Sequence, residues 1–160
     1  MATDQKADRP GDPPPPEQIV AFSKIHVERM ESSDSDDAWI IGGMPNVMLR
    51  TIGRRTGREH KVALPAWFDP EGVRVIVASF AGADHHPSWF VNLADRDANP
   101  EVLVRTQHGS FWSVPDILDT EARRDRLWTL LLEDWHWYGE YQAKTTRTIP
   151  LVRLPESRTA

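Results

Sequence analysis

Three short runs rich in β-branched and aromatic residues, 47–52, 62–68 and 73–80, follow one another with only a turn's length of chain between them. The first connector, 53–61, opens with a turn bounded by Gly53 and Gly57, and the second is Asp69, Pro70, Glu71 and Gly72. Runs of this kind joined by glycine- and proline-bearing turns are the grammar of an antiparallel meander. Pro87 then opens a helix through Trp89, Phe90, Leu93 and Ala94, closed near Asn99 and Pro100. Residues 101–106 and 110–118 form a hairpin around Gln107, His108 and Gly109. Thr120 caps a second helix whose apolar stripe is Leu127, Leu130, Leu131 and Trp135, and 149–154 makes a last strand. The pattern predicts an α+β, mainly β fold: five or six antiparallel strands closed as a small barrel, with two or three flanking helices.

At 160 residues the chain suits one compact domain with an appendage. Residues 1–16, ending in four prolines, read as a disordered or extended polyproline-II arm. Residues 17–37 read as an N-terminal helix and an acidic loop, and 38–156 as the main domain. In that helix Ile19, Val20, Phe22, Ile25, Val27 and Met30 recur at roughly helical spacing. It covers one end of the core, closes as a lid over a ligand, or touches a membrane surface.

Composition removes several classes. Without cysteine there is no disulfide, thiolate metal site or cysteine nucleophile. A net charge of −5 argues against nucleic acid as a partner. The first residues hold no apolar signal core and no later run reaches transmembrane length, so a cytoplasmic protein is expected, with peripheral membrane contact through the first helix. A homodimer is compatible with the sequence, although nothing in it marks an interface.

Basic charge is concentrated at Arg50, Arg54, Arg55, Arg58 and Lys61. Between Gly53 and Gly57, guanidiniums and the Thr56 hydroxyl form a candidate anion cradle for a phosphorylated or polyanionic cofactor; a solvated hairpin tip is the plain alternative. No G-x-S-x-G elbow, H-E-x-x-H, Walker loop or G-x-G-x-x-G is present. Asp84, His85 and His86 read as a loop or helix cap rather than a metal site, since adjacent histidines rarely converge. His60, His108 and His136 stand alone as surface or cofactor-contacting residues. The segment 135–142 is denser: helical spacing sets Trp135, Tyr138 and then Tyr141 or Gln142 on one face, fit for a planar, hydrophobic substrate or for the core. An anion cradle and an aromatic wall without a nucleophile suit a cofactor that brings its own chemistry.

Together these segments resemble the deazaflavin-dependent nitroreductase family of class A flavin/deazaflavin oxidoreductases. The landmarks are 49–57, Val77-Ala78-Ser79, 87–93, 99–102, 138–142 and 147–150. The resemblance implies an FMN-binding split-barrel-like fold. It also implies coenzyme F420, whose reduced deazaflavin passes a hydride to a quinone, nitroaromatic or activated alkene. By position, Arg54, Arg55, Thr56 and Gly57 would grip the coenzyme tail, with Arg58 or Lys61 assisting. Ser79, Trp89 and Asn92 would frame the ring, while Trp135, Tyr138 and Tyr141 would face the substrate. Tyr138 and Ser79 are the candidate catalytic residues the resemblance implies, Tyr138 foremost. Phe80-Ala81-Gly82 stands where relatives carry lysine or asparagine before two glycines, and Glu59 adds a negative charge near the cradle. A non-catalytic carrier of F420 or lipid, and an FMN enzyme on the same barrel, are the alternatives.

Overall fold

The computed structural model describes residues 4–160. Helix α1 (Pro16–Ser32) starts on the last of the four prolines, whose fixed φ and missing N–H suit a first turn. A short α2 (Asp36–Trp39) leads through β1 (Ile40–Ile41) into β2 (Met44–Ile52) and β3 (Glu59–Pro65). β4 (Trp67–Phe68) and β5 (Arg74–Val77) precede a 3₁₀ turn (Phe80–Gly82) and α3 (Ser88–Ala94). β6 (Val102–Thr106), β7 (Gly109–Ser113) and β8 (Asp116–Leu118) are followed by α4 (Glu121–Asp134), α5 (Tyr138–Ala143), β9 (Leu151–Leu154) and β10 (Arg158–Thr159).

All pairing is antiparallel, as expected, but the strands fall into two sheets. One runs β1-β2-β6-β7-β10 with β3 also on β2; the other runs β4-β5-β9-β8. Strand pairing therefore does not close a single barrel of five or six strands. Two of the predicted runs each divide between sheets. At Ala66, whose N–H donates to Pro45 O at 2.9 Å, the chain leaves β2's side and enters the second sheet as β4. At Pro115, which has no N–H for a ladder, the 110–118 run breaks into β7 and β8. The described residues hold five helices rather than two or three, because the acidic loop winds into α2 and the aromatic segment forms a helix separate from α4.

Three buried clusters hold these layers. One joins α4 and α5 to the second sheet through Trp67, Trp135, Trp137, Leu131 and Leu151. Another packs α3 between the sheets on Leu49, Ile76, Leu93 and Val104. The third seats α1 through Val27 and Met30 on Trp39 and Met48. Truncating one of the buried tryptophans to alanine would cost about 3–5 kcal/mol. Residues 4–15 form no helix or strand, yet they are tied to the domain. The Gln5 side chain pairs with Phe68 N and O at 2.7 and 2.8 Å, and Trp135 Nε1 donates to Gln5 O at 2.8 Å.

Candidate functional site

A cleft of about 560 Å³ opens between the β2–β3 hairpin and α5. Thr51, His60 and Lys61 form its hairpin wall; Ser79, Trp89 and Asn92 form its floor; Trp137, Tyr138 and Tyr141 form the opposite wall. α1 closes the cleft from above with Ile19, Val20, Ser23 and Lys24. Ala63 N donates to Ser23 Oγ at 3.1 Å and Lys61 Nζ pairs with Glu31 at 3.0 Å, which fastens that helix to β3.

The turn at the hairpin end is closed by its own backbone, Gly53 N donating to Arg58 O at 2.7 Å and Gly57 N to Gly53 O at 2.9 Å. Only Gly57 uses a positive φ, 69°. At Gly53 the fit is one of space instead: a Cβ there would lie 2.7 Å from Thr56 Oγ1 and 2.8 Å from His60 Nε2, so those side chains would have to shift. Arg54 faces inward: its N and Nη1 donate to Asn92 Oδ1 at 3.2 and 2.8 Å. Asn99, 1% exposed, holds the same junction by donating to Ile52 O and Asn92 O and accepting from Ile52 N. Arg55, Thr56 and Arg58 are exposed, and the two guanidiniums have no partner among the described residues. Glu59 pairs with Arg50 at 2.9 Å, so its charge is balanced locally.

The floor is strained. Phe80 and Ala81 have φ of 47° and 52°, a region residues with a Cβ avoid. Gly82 follows at 82°, packed so closely that a Cβ would sit 2.6 Å from Tyr141 O. Arg147 reaches this loop from beyond α5, donating to Ala83 O at 2.8 Å, Ser79 O at 2.8 Å, Ala78 O at 3.2 Å and His86 Nδ1 at 3.1 Å. Burial and then Arg147 hold the His86 pKa below its ordinary value, which keeps Nδ1 available as an acceptor.

The opposite wall is aromatic. Tyr138 is buried, and its hydroxyl has no hydrogen-bond partner among the described residues. Burial, with Tyr141 adding to it, pushes the Tyr138 pKa above that of an ordinary phenol. The group thus stays protonated and can serve as a hydrogen-bond donor. Burial also raises Tyr141, opposed by the nearby Arg9 guanidinium. Thr51, 1% exposed on the facing wall, likewise leaves Oγ1 without a partner among the described residues.

Of the residues singled out from sequence, the cleft brings together Lys61, Ser79, Trp89, Asn92, Tyr138 and Tyr141. Arg54, Arg55, Thr56, Gly57 and Arg58 stand at the hairpin end, outside its lining. Trp135 is not on the wall: it is fully buried, stacked 6.3 Å from Trp137. The helical spacing behind its assignment fails because α4 stops at Asp134 and Trp135 takes φ −129°, ψ 68°. Trp137 lines the cleft in its stead. Gln142 also leaves the wall, its Oε1 accepting from Arg124 Nη2 at 2.6 Å and Ile149 N at 3.0 Å. Thr51 escaped the sequence reading, although its pairing opposite His60 across β2 and β3 follows from strand alternation. His85 is exposed beside Asp84, and among the described residues no three His, Cys, Asp or Glu side chains could share a metal ion.

With this geometry in place, comparison with known proteins gives a consistent result. A family model described as F420H(2)-dependent quinone reductase matches residues 22–156. An F420H(2)-dependent quinone reductase of Mycobacterium tuberculosis is 31% identical over 117 residues, covering 72% of this chain and 76% of the relative. A solved structure of an F420-H2 dependent reductase, FDR-A, aligns with TM-score 0.57 at 33% identity over 69% of this chain and 94% of that one. Another, described as a domain-swapped dimer, aligns with TM-score 0.59 at 29% identity over 85% of this chain and 98% of that one.

Proposed function

The chain belongs to the F420H(2)-dependent quinone reductase family, and from that premise we propose that it moves a hydride from reduced coenzyme F420 to a planar, hydrophobic acceptor of the quinone class. The observation that carries this reading is a cleft whose hairpin wall, bearing Lys61, faces an aromatic wall, with the exposed arginines of the hairpin end standing just beyond its lining. Its size lies within the range of small-molecule sites.

The residues present fit such a coenzyme. Arg55 and Arg58 have unused forked donors for the phosphodiester and carboxylates of the tail, Thr51 offers an unpartnered buried hydroxyl, and Ser79, Asn92 and the loop amides offer polar contacts to the ring. Lys61 contributes charge at the hairpin wall while paired with Glu31. When bound in reduced form, the coenzyme supplies the hydride. Trp137, Tyr138 and Tyr141 hold the flat acceptor and exclude water. The Tyr138 hydroxyl keeps its proton and donates a hydrogen bond to the acceptor oxygen on which charge develops, the kind of stabilisation that lowers the barrier only as the hydride arrives.

We read the two sheets as a split barrel and the protein as cytoplasmic. A homodimer is supported by the dimeric structure that aligns over 85% of this chain. No helix among the described residues is long and apolar enough to cross a membrane. Val20, Phe22 and Ile25, 48–57% exposed on α1, support peripheral contact with a membrane carrying a lipophilic acceptor. Rapid mixing of the reduced-coenzyme complex with quinones and nitro compounds tests the activity. Acceptor-dependent oxidation of the bound coenzyme is expected, and a complex that no quinone oxidises would leave a carrier.

A further inference from the structure

The 79–82 loop has a conformation that its own residues do not favour. Ser79 is right-handed, with φ −76° and ψ −39°, while Phe80 and Ala81 are left-handed. A right-handed residue followed by left-handed ones turns successive N–H groups toward one side, a concavity for an anionic or carbonyl oxygen. The N–H groups of Gly82 and Ala83 are spent within the loop on Ser79 O and Phe80 O, at 2.9 and 3.0 Å. Those of Phe80 and Ala81 have no partner among the described residues, and both residues line the cleft.

We infer that Arg147 is the positioning residue that holds this loop in its left-handed shape, so that the Phe80 and Ala81 amides stand ready for an oxygen of the bound coenzyme. Among the described residues, its guanidinium is the one side chain bonded to carbonyls on both sides of the strained pair, Ala78 and Ser79 before it and Ala83 after it. A planar fork of five donors can span three carbonyls at once, which a lysine ammonium cannot do with the same geometry. Arg147 is in turn held: Gln142 Nε2 donates to its carbonyl at 2.7 Å, and Gln142 is gripped by Arg124. Within the loop so held, Gly82 abuts the carbonyl of Tyr141 on the opposite wall.

The inference rests on the reading of the cleft as an F420 site, so the test separates the two. Coenzyme affinity is measured by fluorescence titration, alongside the carbon shifts of Ala81 in the coenzyme-free protein. Arg147→Ala is expected to weaken F420 binding about 10- to 100-fold and to move the Ala81 shifts away from left-handed values. Adding Ala81→Gly, which removes the penalty for positive φ, should recover about 3- to 10-fold of that loss. Millimolar guanidinium should also restore part of it. Arg147→Lys, which keeps charge and bulk but not the fork, should remain folded and bind weakly even if Arg147→Ala does not fold. Wild-type affinity in Arg147→Lys, unmoved Ala81 shifts, or equal losses in the single and double variants with no guanidinium rescue would overturn the assignment. A wild-type protein that binds no F420 would remove the functional reading instead, while the Ala81 shifts would still decide the role of Arg147.

Discussion

The 53–58 turn stands at the hairpin end beyond the lining of the cleft and the 79–82 loop lies on its floor, and they obtain their shapes in opposite ways. The turn is made locally: its hydrogen bonds close within six residues, its single positive φ falls on Gly57, and its outer arginines are free of structural duty. The loop is made from a distance. Its positive φ values fall on Phe80 and Ala81 as well as on Gly82, and the side chain that braces it lies 64 to 69 residues downstream. A region that specifies itself can spare its side chains for a ligand. A region held by an outside clamp presents its backbone.

The sharpest way to break this contrast is to place a Cβ in each region. Gly57→Ala meets nothing within 4 Å and should cost only the left-handed penalty, about 1–2 kcal/mol. Gly82→Ala adds a clash with Tyr141 O and should cost about 2–5 kcal/mol in urea unfolding, with coenzyme binding lost alongside. Equal costs would mean that the loop is not clamped.

At the acceptor end, Tyr138→Phe removes the donor but keeps the ring. Single-turnover hydride transfer should slow about 10²- to 10³-fold with coenzyme affinity unchanged. At the turn, Arg55→Ala should weaken coenzyme binding about 10- to 100-fold, less so at high salt, and leave the melting temperature in place because the exposed guanidinium has no structural partner.

The smallest effect concerns the loop's pH response. The His86 pKa is lowered by burial and by Arg147, so its contribution is intact above the ordinary histidine value near 6.5 and is lost as pH falls through the lower folded value. Between pH 7 and pH 5 the wild type should lose more stability than His86→Asn, by less than about 1 kcal/mol given the partial exposure. Parallel losses in the two proteins would remove His86 from the clamp.

What could be read from sequence follows the same division. The β2–β3 hairpin, the arginine turn, α3 and the start of α4 after Thr120 were legible because turn chemistry and periodicity are local, although the Thr120 hydroxyl makes no cap bond to that helix. The divided sheets were not, since Ala66 and Pro115 mark a change of partner rather than of secondary structure. Tyr138 and Tyr141 were found through helical spacing, and Trp135 was misplaced by extending that spacing across the break after Asp134. Arg147 was visible only as part of a family landmark. Nothing around it indicates that it would fold back onto Ser79.

The central claim is that the cationic turn holds the charged tail of F420 while the cleft takes its ring. Parallel titrations with F420 and with a deazaflavin lacking the phosphodiester tail, in wild type and in Arg55→Ala/Arg58→Ala, test it most directly. The wild type should bind F420 more tightly by at least about 100-fold, an advantage largely lost in the double variant. Equal affinity for the two ligands in the wild type would contradict the account.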